Sequence, residues 1–198
     1  MRDKKKPLLS YILCIGCPTI GRPVRRGRMQ QTTANAHAVF MAAVSYMSAS
    51  KDLRRRSSPL IQQHALPSIQ LSFIAVELFL KCLIALNNGE IRTGHELHKL
   101  LRRLPDSISE ELSVRWGKRF ADGPYLKLPR EMLAKLPPTV NLYSVLRSAN
   151  FMQQQSRYPW ERKGNLNVFI IQDVPDMLYT YICEVRPDWE LPEGPAAI

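Results

Sequence analysis

The stretch "LSFIAVELFLKCLIAL", from Leu71 to Leu86, is the feature that most constrains this chain. It is apolar on nearly every side and too long for an ordinary strand, so it reads as a helix surrounded by others. Glu77 and Lys81 stand in its middle, four residues apart, on one helical face and in the favourable order for a pair. Exposed, such a pair contributes only about 0.3–0.5 kcal/mol. With apolar neighbours all round, the face is expected to be partly buried. A buried pair is costly unless further polar groups join it. His95, just after Asn87-Asn88-Gly89, is the natural third member, and Arg157 and Tyr158 are candidates for a fourth and fifth. The cluster reads either as a structural lock on helix register or as a binding site, and ion-pair networks resemble functional sites in this respect.

Around this helix the chain reads as all-α, an antiparallel up-and-down bundle of about five to six helices with short connections. Ala36, Phe40, Ala43, Val44 and Met47 recur at three and four residues and predict a helix over Thr32 to Leu53. "RRRSSP" is a polar break. The central helix is expected to open near Pro67-Ser68, with Ser68 as cap, and to stop at Asn87-Asn88-Gly89. A short helix over His95 to Arg103 carries the stripe Leu97, Leu100, Leu101 and Leu104 and ends at Pro105. Ser107-Ile-Ser-Glu110 reads as a capping box opening a fourth helix to Phe120. Residues 125–138 are proline-rich and are expected to form a short helix between loops. A fifth helix is expected over Thr139 to Ser156, with Leu142, Val145, Leu146 and Ala149 inward. "RYPWERKGNLN" reads as a loop and "VFII" as a brief extended piece. Asp173 is the candidate cap of a last helix whose inner residues are Leu178, Tyr181, Ile182 and Val185.

Charge divides the chain. The net charge is +11, and residues 1–28 hold eight basic residues against Asp3, a net of +7. The domain is expected to begin at residue 29 and run to 190. Residues 1–28 are expected to be a disordered basic extension or the product of an over-early start codon, and 191–198 a frayed tail. A basic tail argues for nucleic acid less strongly than a basic body does. The first twenty residues imitate a signal peptide, but the apolar run is short, Pro18 follows it, and no Ala-x-Ala site is present. Leu71 to Leu86 is too short to span a bilayer and carries Glu77 and Lys81, so no membrane is expected. Cys14-Ile-Gly-Cys17 has metal or redox spacing, but no second such pair and no nearby histidine completes a site. Cys82 and Cys183 fall on apolar faces, where cysteine behaves as a small hydrophobe. A reduced, cytoplasmic setting fits, with no metal and no cofactor.

"SIQLSFIAVELFLKCLIALNNGEIRTGHELHKLLRRLP" resembles the core of the HEPN family (higher eukaryotes and prokaryotes nucleotide-binding). The family pattern is Glu-x-x-x-Lys on an apolar helix, a short glycine-containing loop, then Gly-His-x-Leu. Here those are Glu77, Lys81, Gly94, His95 and Leu97. Arg157-Tyr158-Pro159 is similar to the family's later part. The resemblance spans roughly residues 32–186, and its specific motifs occupy two stretches. It implies a helical bundle, often a homodimer, that binds nucleotide or RNA or cleaves RNA without metal. It also implies a toxin–antitoxin or defence setting, with a nucleotidyltransferase-type or antitoxin partner.

The family's ribonucleases carry an arginine and, four to six residues on, a histidine on a late helix. Histidine moves protons near neutral pH and arginine neutralises phosphate. This chain departs from that pattern: its four histidines are His37, His64, His95 and His98. The spacing is matched only by Arg92 and His98, the candidate catalytic pair, in the loop and first turn of the short third helix. Among 28 basic residues such a match arises easily by chance, and the alternative is a solvated arginine and a surface histidine. His95 is expected to satisfy a backbone N–H at the helix start or to bond to Glu77. Arg147 and Trp160 are candidate RNA contacts, one for phosphate and one for stacking. Two further readings stand beside RNA binding: a metal-independent endoribonuclease, and a non-catalytic protein-interaction module.

Overall fold

The computed structural model describes the backbone at residues 25–55, 61–91, 93–122, 141–157 and 169–190, and side chains within these at 35–55, 66–91, 93–122, 141–150, 153 and 171–190. Among the described residues the chain is all-α, with no strand. The expectations for residues 1–24, Cys14 and Cys17, residues 125–138, the loop after Arg157 and the tail from residue 191 lie outside them.

The helices are α1 (Arg25–Arg55), α2 (Ile61–Asn88), α3 (Leu97–Leu101), α4 (Asp106–Asp122), α5 (Leu142–Arg157) and α6 (Val174–Val185). A 3-10 turn, Phe169–Asp173, precedes α6, and another, Pro187–Trp189, follows it. The apolar periodicity explains each inner face. Phe40, Phe73, Phe79, Leu80, Leu83, Ile84, Leu97, Leu100, Leu112, Trp116, Leu142 and Leu146 are fully buried. α1 and α2 lie along each other antiparallel. Ser50 Oγ donates to the Ser68 carbonyl at 2.8 Å and is paired with Ser72 Oγ at 2.8 Å, while Phe40 meets Phe79 further along. α2 forms the centre of the bundle and also packs on α3, α5 and α6.

Several boundaries differ from the sequence reading. α1 begins at Arg25, inside the basic stretch expected to be disordered. α2 passes through Pro67 rather than starting there, and Ser68 is a buried carbonyl acceptor inside the helix, not its cap. The helix therefore continues beyond the apolar run, and over Leu66–Asn88 it is long and apolar enough, by length and composition, to cross a membrane. Two thirds of its most apolar window is packed inside the bundle (67%). The capping box at Ser107 does not form, because α4 starts one residue earlier and the Pro105 carbonyl accepts from Ile108 and Ser109 N–H. Phe169, Ile170 and Ile171 of "VFII" form a 3-10 turn, not an extended piece. Asp173 occupies the cap position of α6 without a side-chain capping bond. Val185, expected inside, is half exposed at the end of α6 (50%).

Two devices close the bundle. Arg115 on α4 bonds Glu111 at 2.6 Å and Glu184 on α6 at 2.6 Å, and lies over the Tyr181 ring. Trp189 folds back on α1, its ring 5.4 Å from Phe40 and 4.9 Å from His37.

Candidate functional site

The loop between α2 and α3 is placed by local chemistry. Gly89 takes φ +75° and donates its N–H to Ala85 O at 2.9 Å, ending α2 where Asn87-Asn88-Gly89 predicts. Gly94 takes φ +111°, a conformation that L side chains rarely adopt. Arg103 Nη1 donates to the Thr93 carbonyl at 3.1 Å and ties the loop to the end of α3. His95 is thereby delivered to the side of α2.

There the charges of the central helix find their partners. Glu77 Oε1 accepts from Lys81 Nζ at 2.7 Å and lies 2.9 Å from His95 Nδ1. The Glu77 and Lys81 side chains are only 11% and 12% exposed, whereas His95 is 79% exposed. A carboxylate can only accept, so the His95 Nδ1 carries hydrogen and Nε2 remains for solvent or a ligand. The arrangement is a buried carboxylate orienting an exposed imidazole, with a lysine compensating the buried charge.

A second polar cluster lies between α3 and α5. The Leu97 N–H, a free donor at the first turn of α3, donates to Asn150 Oδ1 at 2.9 Å. His95 therefore does not cap this helix; the cap reaches in from α5. The other end of the same amide, Asn150 Nδ2, meets His98 Nδ1 at 2.6 Å. His98 stands edge-on to the Tyr143 ring at 5.6 Å, and the Arg102 guanidinium lies over that ring at 4.5 Å. Burial holds the His98 imidazole below the ordinary histidine value; Glu96 opposes this, and the charges of Lys99, Arg147 and Arg102 add to it.

This face brings together only part of what the sequence suggested. Glu77, Lys81 and His95 meet. Arg147 of α5 is exposed, and its charge acts on His98. Arg92, Tyr158 and Trp160 lie outside the described residues, and Arg157 is described only as the backbone end of α5. The pairing of Arg92 with His98 thus lies outside the described residues, among which the arginines whose charges act on His98 are Arg102 and Arg147. Asn150, Tyr143 and Arg102 were missed. Asn150 did leave a signal, since asparagine is a poor helix former and stands in mid-helix in "RSANF".

Among the described residues no group of three His, Cys, Asp or Glu side chains is placed to hold a metal ion. Comparison with family models, curated proteins and solved structures finds no match to this chain.

Proposed function

We propose that this chain is a helical domain that binds RNA or nucleotide through phosphate, at the face shared by α3 and α5. The observation that carries the reading is the Tyr143 ring shared by His98 and the Arg102 guanidinium, with the charges of Lys99, Arg147 and Arg102 all acting on the imidazole. Arginine and lysine supply phosphate contacts, and the side chain of His98 adds a hydrogen-bond donor. The likeness of Glu77, Lys81, Gly94, His95 and Leu97 to the HEPN pattern supports the same reading. It extends it to a homodimer in a toxin–antitoxin or defence setting, with a nucleotidyltransferase-type or antitoxin partner.

The test is binding of a fluorescein-labelled oligouridylate to the full chain across a salt series. Arg102→Gln and Arg147→Gln are expected to weaken binding. Each is expected to lower the slope of log affinity against log salt by about 0.7, one single-strand phosphate contact. Unchanged affinity and slope in both variants would overturn the assignment of this face.

A metal-independent endoribonuclease is the second reading, favoured by the Glu77–His95 pair. His95 Nε2 would take the proton of a ribose 2′-hydroxyl while its oxygen bonds to the adjacent phosphorus. The phosphorus–5′-oxygen bond then breaks, and water protonates the leaving oxygen. The products are a 2′,3′-cyclic phosphate and a 5′-hydroxyl, formed in the presence of chelator and lost in His95→Ala. Absence of both binding and cleavage would favour a protein-interaction module.

A further inference from the structure

The Asn150 amide has a definite orientation because one of its partners is a backbone N–H. The Leu97 N–H can only donate, so the atom facing it must be the carbonyl oxygen Oδ1. That leaves the amide nitrogen Nδ2, which can only donate, facing His98 Nδ1 at 2.6 Å. His98 Nδ1 must then present a lone pair, and the ring hydrogen must be on Nε2. A cationic His98, with hydrogen on both nitrogens, would set two donors against each other.

We infer that Asn150 is a positioning residue that holds His98 as a neutral imidazole with its hydrogen on Nε2, so that this face offers phosphate a donor that requires no protonation. The inference rests on the phosphate-binding reading for its ligand, but the tautomer stands on the hydrogen-bond geometry alone. The surroundings act in the same direction. From α3 and its cap, Lys99 and Arg102 oppose a further positive charge and Glu96 favours one; from α5, Arg147 opposes it and Tyr143 contributes an uncharged ring. Glu96 is half exposed and already engaged by Lys99.

The consequence is a distinctive pH dependence. A phosphate site that depends on a cationic histidine loses affinity as pH rises through about 6.5. Here the arginines stay charged and His98 Nε2–H persists, so affinity should hold from slightly acid to slightly alkaline pH. Asn150→Asp reverses the logic. One carboxylate oxygen still accepts from Leu97 N–H, and the other demands hydrogen on His98 Nδ1. His98 then binds phosphate only as a cation, and above its titration Nε2 turns a lone pair to the ligand.

Two measurements test this. The first is imidazole ¹⁵N NMR on the full wild-type chain at pH 7.5. A His98 with an unprotonated Nδ1 and a protonated Nε2 is the expected result; hydrogen on Nδ1, or an averaged pair, overturns the inference. The second is oligouridylate affinity at pH 6 and pH 8. Wild type is expected to change less than about twofold. Asn150→Asp is expected to lose about tenfold, the factor that one pKa unit represents. The same steep loss in wild type would overturn the inference. The expected tautomer in a protein that binds no RNA would instead reject the proposed function and leave the role of Asn150 standing.

Discussion

Asn150 on α5 and His98 on α3 are joined through a 2.6 Å contact between Nδ2 and Nδ1, and the same asparagine caps the first N–H of α3 at 2.9 Å. One amide therefore serves both a helix end and the protonation state of a histidine. Asn150→Ala removes both bonds and is expected to cost about 1–2 kcal/mol in urea unfolding, the range of a lost cap.

The depressed proton affinity of His98 makes stability depend on pH with a fixed sign. The folded chain resists a proton that the unfolded chain accepts near pH 6.5. The stabilisation is thus fully present above about pH 6.5 and is lost as pH falls through the lowered His98 value. Urea unfolding at a series of pH values checks this. In His98→Gln that acid-side loss should shrink.

Glu77 and Lys81 should behave as a buried pair. Glu77→Ala leaves the Lys81 ammonium largely buried without its carboxylate, and is expected to cost about 2–4 kcal/mol. Glu77→Leu combined with Lys81→Leu should recover much of that loss, because two apolar side chains leave no unpaired charge. A Glu77→Ala change within about 0.5 kcal/mol of wild type, the range of ordinary surface substitutions, would count against the buried network.

Gly94→Ala should be destabilising even though nothing lies within 4 Å of an added Cβ. The obstacle is the backbone at φ +111°. The expected cost is about 1–3 kcal/mol. His95 should also lose its fixed place beside Glu77, visible as a change in its NMR chemical shifts.

Cys82 is fully buried, and burial pushes its thiol up to about 12. Little thiolate exists at neutral pH, so alkylation of Cys82 should be slow in the folded chain and fast once it is unfolded. Mass spectrometry of iodoacetamide-treated protein at increasing urea reads this directly.

Among the described residues, the sequence by itself determined where the main helices lie and most of their inner faces. The leucines of α3, the inward residues of α5 and the apolar girth of α2 repeat at helical spacing, and that spacing is a local property of the chain. It also marked Glu77 and Lys81 as a pair needing a third partner, since apolar neighbours on all sides make an isolated charge costly. Tertiary structure decided the rest. Ser68 and Ser107 carry the local chemistry of caps, yet both lie inside their helices: Ser68 is buried with its carbonyl accepting from Ser50, and the Pro105 carbonyl accepts from Ile108 and Ser109 N–H at the start of α4. Val185 keeps the helical period of α6 but comes after the bundle has run out of partners. The capping of Leu97 and the tautomer of His98 were not legible in the sequence. Both depend on Asn150, more than fifty residues away in the chain, and only the docking of α5 on α3 sets hydrogen bonds between such distant groups.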